Sequence, residues 1–148
     1  MKWVEINQKY AKIWPNITQK KAELPEAKEY DGVKEKLQSK SITGSGTFTF
    51  QCANGQVFHV ASPAADFGCN FTDLTIDTDY ATATTIVIDQ GSTAYMPTSV
   101  AIAGSSATIT WQGGSAPSGT ANGIDVVTFS FLNVSSTVTV LGQSVSFS

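Results

Sequence analysis

His59 is the one histidine in the chain, so a Ser-His-Asp hydrolase would have to work through it. It stands in Val57-Phe58-His59-Val60, an alternating apolar stretch, and no serine lies in a Gly-x-Ser-x-Gly elbow. That pattern fits a strand residue at the surface, not a catalytic base. Cys52 shares a strand face with Phe48 and Phe50, and Cys69 shares one with Phe67 and Phe71, so alternation turns both thiols inward. Two readings stay open for them: a disulfide across a sequence separation of 17, or two buried free thiols of the kind kept in a reducing cytoplasm. Asp73, Asp77 and Asp79 form D-x3-D-x-D, and carboxylates at that density attract calcium. The spacing, central glycine and closing glutamate of an EF-hand are missing, so the three read as an acid-tipped, solvated loop. No pair of acids stands out as the general acid and its partner for glycoside hydrolysis. Trp111, Tyr80 and Tyr95 have the flat faces and polar handles of a sugar-binding surface, with core or interface packing as the stronger reading. No catalytic residue, cofactor-binding residue or metal ligand is therefore assigned, and an enzyme is the least supported class.

These residues sit among stretches rich in Thr, Ser, Gly, Val, Ile and Phe that begin at Ser41 and favour strands and turns. Strands are predicted over 47–53, 56–61, 70–77, 82–90, 99–103, 107–112, 124–132 and 136–147, with Gly142 as the point where the last could split. The clearest is Asp125-Val126-Val127-Thr128-Phe129-Ser130-Phe131, in which Val127, Phe129 and Phe131 make one apolar face. Asn54-Gly55 predicts a two-residue hairpin, Gly104-Ser105-Ser106 a second hairpin and Asn133-Val134-Ser135 a third reversal. Gly113-Gly114 suits a tight turn that requires positive φ. Short strands with turns every ~8–12 residues point to a mainly β fold, an antiparallel β-sandwich of jelly-roll-like kind. Many outward positions are Thr or Ser and leave strand edges unguarded; neighbouring subunits of a homo-oligomer, a trimer being favoured, would cover them.

Charge divides the chain. All nine basic residues are lysines at or before Lys40, where six acids leave a net +3, while residues 41–148 hold six aspartates and no base. A boundary near residue 40 follows, separating segment 1–40 from a β module over 41–148. The module cannot neutralise phosphates, which argues against nucleic acid and against an anionic membrane surface as partners. No apolar run approaches the ~20 residues that span a bilayer. Met1-Lys2-Trp3-Val4-Glu5 lacks the apolar core of a signal peptide, so no export route is expected.

In the first forty residues, Trp3, Ile6, Tyr10, Ile13 and Ile17 form a stripe at helical spacing. Pro15 ends that helix near Ile13 or Trp14, too early for a stable isolated coiled coil. Residues 15–32 read as extended or irregular, and Val33 to Lys40 as another short helical turn.

Two resemblances add to this reading. Ile86-Val87-Ile88-Asp89-Gln90, Pro97-Thr98-Ser99-Val100, Trp111-Gln112-Gly113-Gly114-Ser115-Ala116-Pro117 and Asn122-Gly123-Ile124-Asp125-Val126-Val127-Thr128-Phe129 form an ordered set. That set, over roughly residues 70–148, resembles a β module of phage tail and tail-fibre proteins. Residues 2–38, from Lys2-Trp3-Val4-Glu5-Ile6 through Ile13-Trp14-Pro15-Asn16-Ile17 to Tyr30-Asp31-Gly32-Val33, resemble the C-terminal extension of seven-iron bacterial ferredoxins. The cluster-binding core of that family is absent: iron–sulfur ligation needs runs of Cys thiolates, and both cysteines lie outside the segment. The first resemblance implies a virion structural protein of a tail, fibre or capsid decoration, assembled in the host cytoplasm beside other virion proteins, with contact to a host surface glycan as an added role. A glycan-binding or adhesion module is the alternative. Docking to an electron-transfer partner through the ferredoxin-like segment ranks below both.

Overall fold

Alternating and β-branched stretches take up most of the region described by the computed structural model, residues 34–148. Glu35–Ser148 forms one compact unit, and ten strands belong to it. They are β1 (Leu37–Lys40), β2 (Gly46–Gln51), β3 (Val57–Ala61), β4 (Phe67–Thr72), β5 (Ala81–Asp89), β6 (Pro97–Ile102), β7 (Ser105–Ala107), β8 (Ile109–Trp111), β9 (Ile124–Val134) and β10 (Thr137–Phe147). The predicted helix of residues 3–14 and the irregular stretch 15–32 lie outside the described residues.

The fold is mainly β, but the predicted antiparallel pairing is corrected to mixed sheets. A six-stranded sheet runs β1-β3-β5-β9-β10-β8 and a four-stranded sheet runs β2-β4-β6-β7. The first six strands alternate between the two sheets, so strands two apart in sequence become neighbours and run parallel. Each connection there is an arch from one sheet to the other. A hairpin would have paired consecutive strands antiparallel. Asn54-Gly55 is one of these arches and not the predicted hairpin. Residues 52–54 form a short 3-10 turn, and Gly55 at φ 139° carries the chain to β3 with its α-carbon against the Lys36 carbonyl. True hairpins occur later. Ala103 and Gly104, both at positive φ, join β6 to β7, and Ser135 and Ser136, likewise positive, join β9 to β10. Positive φ at both central residues is what a two-residue hairpin turn needs. Serines are costly there, and the Ser135 N–H donates to Asp79 Oδ1 at 3.1 Å to hold the turn.

Three further corrections concern boundaries. Leu37–Lys40 is extended and pairs with β3, where a helical turn was predicted; Lys40 Nζ lies 5.8 Å over the Phe50 ring, its aliphatic stem covering apolar surface. The strand predicted over 70–77 is instead Phe67–Thr72. Gly68, which would normally interrupt a strand, sits between β2 and β6 so closely that a Cβ would meet Thr47 Oγ1 and Ser99 Oγ at 2.7 and 2.6 Å. The predicted strand 107–112 divides into β7 and β8, whereas β10 continues through Gly142. Gly142 is required because the Trp111 ring occupies the space of its side chain, leaving 2.5 Å between a Cβ and Trp111 Cε3.

Val127, Phe129 and Phe131 are fully buried, as their alternation predicts. Phe71 of the four-stranded sheet meets Phe129 and Phe131 of the other, edge to face, at 5.9 and 5.6 Å between centroids. Phe50 does the same with Phe58 at 5.1 Å.

Candidate functional site

Gln90 directly follows β5 and Asp125 opens the inward face of β9, and the antiparallel register, which sets Ile88 opposite Asp125, brings the two together. Asp125 is fully buried. Its Oδ2 accepts from Gln90 Nε2 at 2.9 Å and from the Thr120 N–H at 2.8 Å, and its Oδ1 accepts from Ser146 Oγ at 2.6 Å. Gln90 also binds the backbone of Tyr95 on both sides, accepting from its N–H at 3.0 Å and donating to its carbonyl at 2.9 Å. Asp66 Oδ1 accepts the next N–H, that of Met96, at 2.8 Å. Gly119 lies against Gln90 Nε2 and Asp125 Oδ2, where a Cβ would come within 2.9–3.0 Å of both. Two connections, 91–96 and 112–123, are thus tied to β5, β9 and β10 through one carboxylate. Burial pushes the Asp125 carboxyl upward, but donation from Ser146, the Thr120 N–H and Gln90 outweighs it and holds the group below the usual carboxylate range. Three donors from its own chain make this carboxylate a structural clamp that joins β9, β10 and two connections.

The residues singled out for chemistry are dispersed. His59 points to the outward face of the six-stranded sheet, with Ser39 and Val87 as its in-register neighbours. Tyr80 and Tyr95 flank opposite ends of β5, whose nine residues separate them by roughly 30 Å, so they do not share a surface with each other. Trp111 is half-buried, 5.7 Å from the Phe129 ring, and packs toward the core. Asp77 and Asp79 lie in the turn before β5 and not on a strand face. Asp73 accepts from Gln51 Nε2 at 3.0 Å and Asp79 from Ser135, which commits two of the three carboxylates to local structure. Among the described residues no three or more His, Cys, Asp or Glu converge to hold a metal ion, and no helix is long and apolar enough to cross a membrane.

Cys52 and Cys69 are free and buried. The register sets Phe48 opposite Cys69, placing Cys52 four residues further along, about 13 Å away, whereas a disulfide needs Cα atoms within about 7 Å. Burial, reinforced by Asp73 and Glu35, raises the Cys52 thiol to about 11, and burial alone raises Cys69 further. Both thiols should therefore stay silent toward an aromatic disulfide reagent at pH 8 and release two equivalents together on unfolding without reductant. Release of none under those conditions would mean that they are bonded. The folded thiol stays protonated above the unfolded value of ~8.5, so its contribution is intact below that pH and is lost as pH rises toward about 11. The urea midpoint should accordingly fall over that window.

A groove of about 660 Å³ lies between the β6–β7 hairpin, residues 74–76 and the start of β10. Leu74, Ile76, Ile102 and Val138 line it with serines, threonines and no ionisable group, so it can hold an apolar segment but supplies no acid or base.

Residues 1–39 are similar to a family described as a domain of unknown function, DUF3470, and all but 34–39 of that stretch lie outside the described residues. No solved structure matches the chain.

Proposed function

We propose that this chain is a non-enzymatic virion structural protein, a tail, fibre or capsid-decorating module that works by packing against copies of itself and presenting a surface. We read its two sheets as the layers of a sandwich-type unit, and the residues before β1 as an adapter that lies against another virion protein or a neighbouring copy. The ferredoxin-like character of residues 2–38 is, on this reading, that of a tail captured without its redox core.

One observation supports the reading above the rest. The pieces that resemble the phage tail module are separate in sequence, yet Gln90 of the first and Asp125 of the last meet at one buried node, which Tyr95 and Thr120 join from the connections between the pieces. A single packing unit would account for the pieces occurring together. The dispersal of His59, Tyr80, Tyr95 and the aspartates favours packing over catalysis or sugar binding.

The test is mass spectrometry of purified particles from the source. Trypsin would leave residues 41–148 whole, because they contain no Lys or Arg. Cleavage after acids should release Lys36 to Asp66, which spans the charge boundary near residue 40. That peptide in particles is the expected result. Peptides of the β unit without it would detach the residues before β1 from the working protein. Absence of both would overturn the virion reading and bring the glycan-binding one forward.

A further inference from the structure

The outward face of the six-stranded sheet has no covering layer among the described residues. Its rows follow from register. His59, Val87, Val126 and Val145 stand side by side across β3, β5, β9 and β10, and Ile124 beside Phe147 forms the end of the next row. Val145 and Phe147 are 54% and 56% exposed, values unusual for apolar side chains in the middle and end of a long strand. Over these four strands the outward positions contain no Lys, Arg or Glu, and His59 and Asp89 are their only ionisable groups.

We infer that this face is the surface through which the chain binds a second copy of itself. Its area supports that occupant. Four to six strands about 4.8 Å apart, with central strands about 30 Å long, give roughly 600–900 Å². A stable interface takes about 800 Å² from each partner. Charge supports it as well. The unit carries six aspartates and no base beyond Lys40, so two copies repel unless their acids are kept apart. Asp66, Asp73, Asp77 and Asp79 sit on connections and Asp125 points inward, which leaves Asp89 at the rim as the one carboxylate on the face. A sheet face whose one carboxylate lies at its rim can meet its own copy without burying an unpaired charge at its centre. Two faces can oppose each other, or three can turn toward one axis as the favoured trimer would require; both arrangements cover Val126 and Val145.

The inference rests on the self-packing part of the function proposed above, and its test is separate from the particle analysis. Sedimentation of the full chain at about 50 µM should show a dimer or trimer. Val145→Lys and Val126→Lys should each weaken assembly about 100-fold, since a buried unpaired lysine costs several kcal/mol. Tyr80→Lys, on an exposed residue outside the face, should leave assembly unchanged. Circular dichroism melting checks that each variant folds, and the exposed position of Val145 makes its variant decisive should Val126→Lys unfold. A monomeric wild type overturns the inference. Variants that assemble like the wild type also overturn it, while leaving self-packing through another surface intact.

Discussion

Asp125→Ala is expected to destabilise the fold by about 3–5 kcal/mol, the range for removing one partner from a buried charged hydrogen-bond network. The loss is more than one bond. The Thr120 N–H, one Gln90 proton and the Ser146 hydroxyl lose their acceptor together. Ser146 is exposed and can turn to water, so the cost falls on Thr120 and Gln90. Asp125→Asn keeps the shape and one acceptor oxygen but turns an NH2 toward existing donors, and should cost about 2–3 kcal/mol. Urea unfolding followed by circular dichroism measures both. Amide exchange should localise the change to residues 91–96 and 112–123 ahead of the central strands. An Asp125→Ala midpoint equal to wild type would show that the node holds nothing.

The same carboxylate fixes a sign for pH dependence. Its folded pKa lies below the unfolded value of ~3.9, so the stability it adds is complete above that value and is lost as pH falls through the folded one. The gap between wild type and Asp125→Asn should be full at pH 7 and should close below about pH 4. A gap that widened in acid would require the carboxyl to be held neutral in the fold, against the three donors that face it.

How much of this could be read from residues alone depended on whether the signal was local. The inward face of Val127, Phe129 and Phe131 was legible because strand alternation is recorded in consecutive residues, and the Gly104 hairpin because its turn chemistry is local too. Asn54-Gly55 has the same local chemistry but a different outcome: a short turn with positive φ serves an arch as well as a hairpin, and sequence does not record which sheet receives the next strand. The parallel pairs follow from that undetermined choice. β4 was displaced because Gly68 looks like an interruption, when its missing side chain admits two neighbouring strands. The Gln90–Asp125 node was invisible for another reason. The two residues are 35 apart, and only the β5–β9 register makes them neighbours.

The second large effect is expected at Phe71. Its ring is fully buried and touches four others: Phe50 of its own sheet and Phe58, Phe129 and Phe131 of the other. Phe71→Ala should cost about 3–5 kcal/mol through lost transfer energy and the cavity left behind. Against a typical total of 5–15 kcal/mol, that is enough to lower the melting temperature by roughly 10–20 °C. Phe71→Leu fills most of the volume but loses the edge-to-face geometry, worth about 0.5–1.5 kcal/mol per pair, and should fall between wild type and Ala. The contrast with the outward face is what makes the pair of experiments informative. Val145 lies on β10 only five residues from the buried Val140, yet Val145→Lys should leave the melting temperature of the separated chain nearly unchanged while weakening assembly about 100-fold. Phe71→Ala should do the reverse, weakening the fold and disturbing assembly only as the fold is lost. If Phe71→Ala left the melting temperature within a few degrees of wild type, the rings between the two sheets would not be what holds them together.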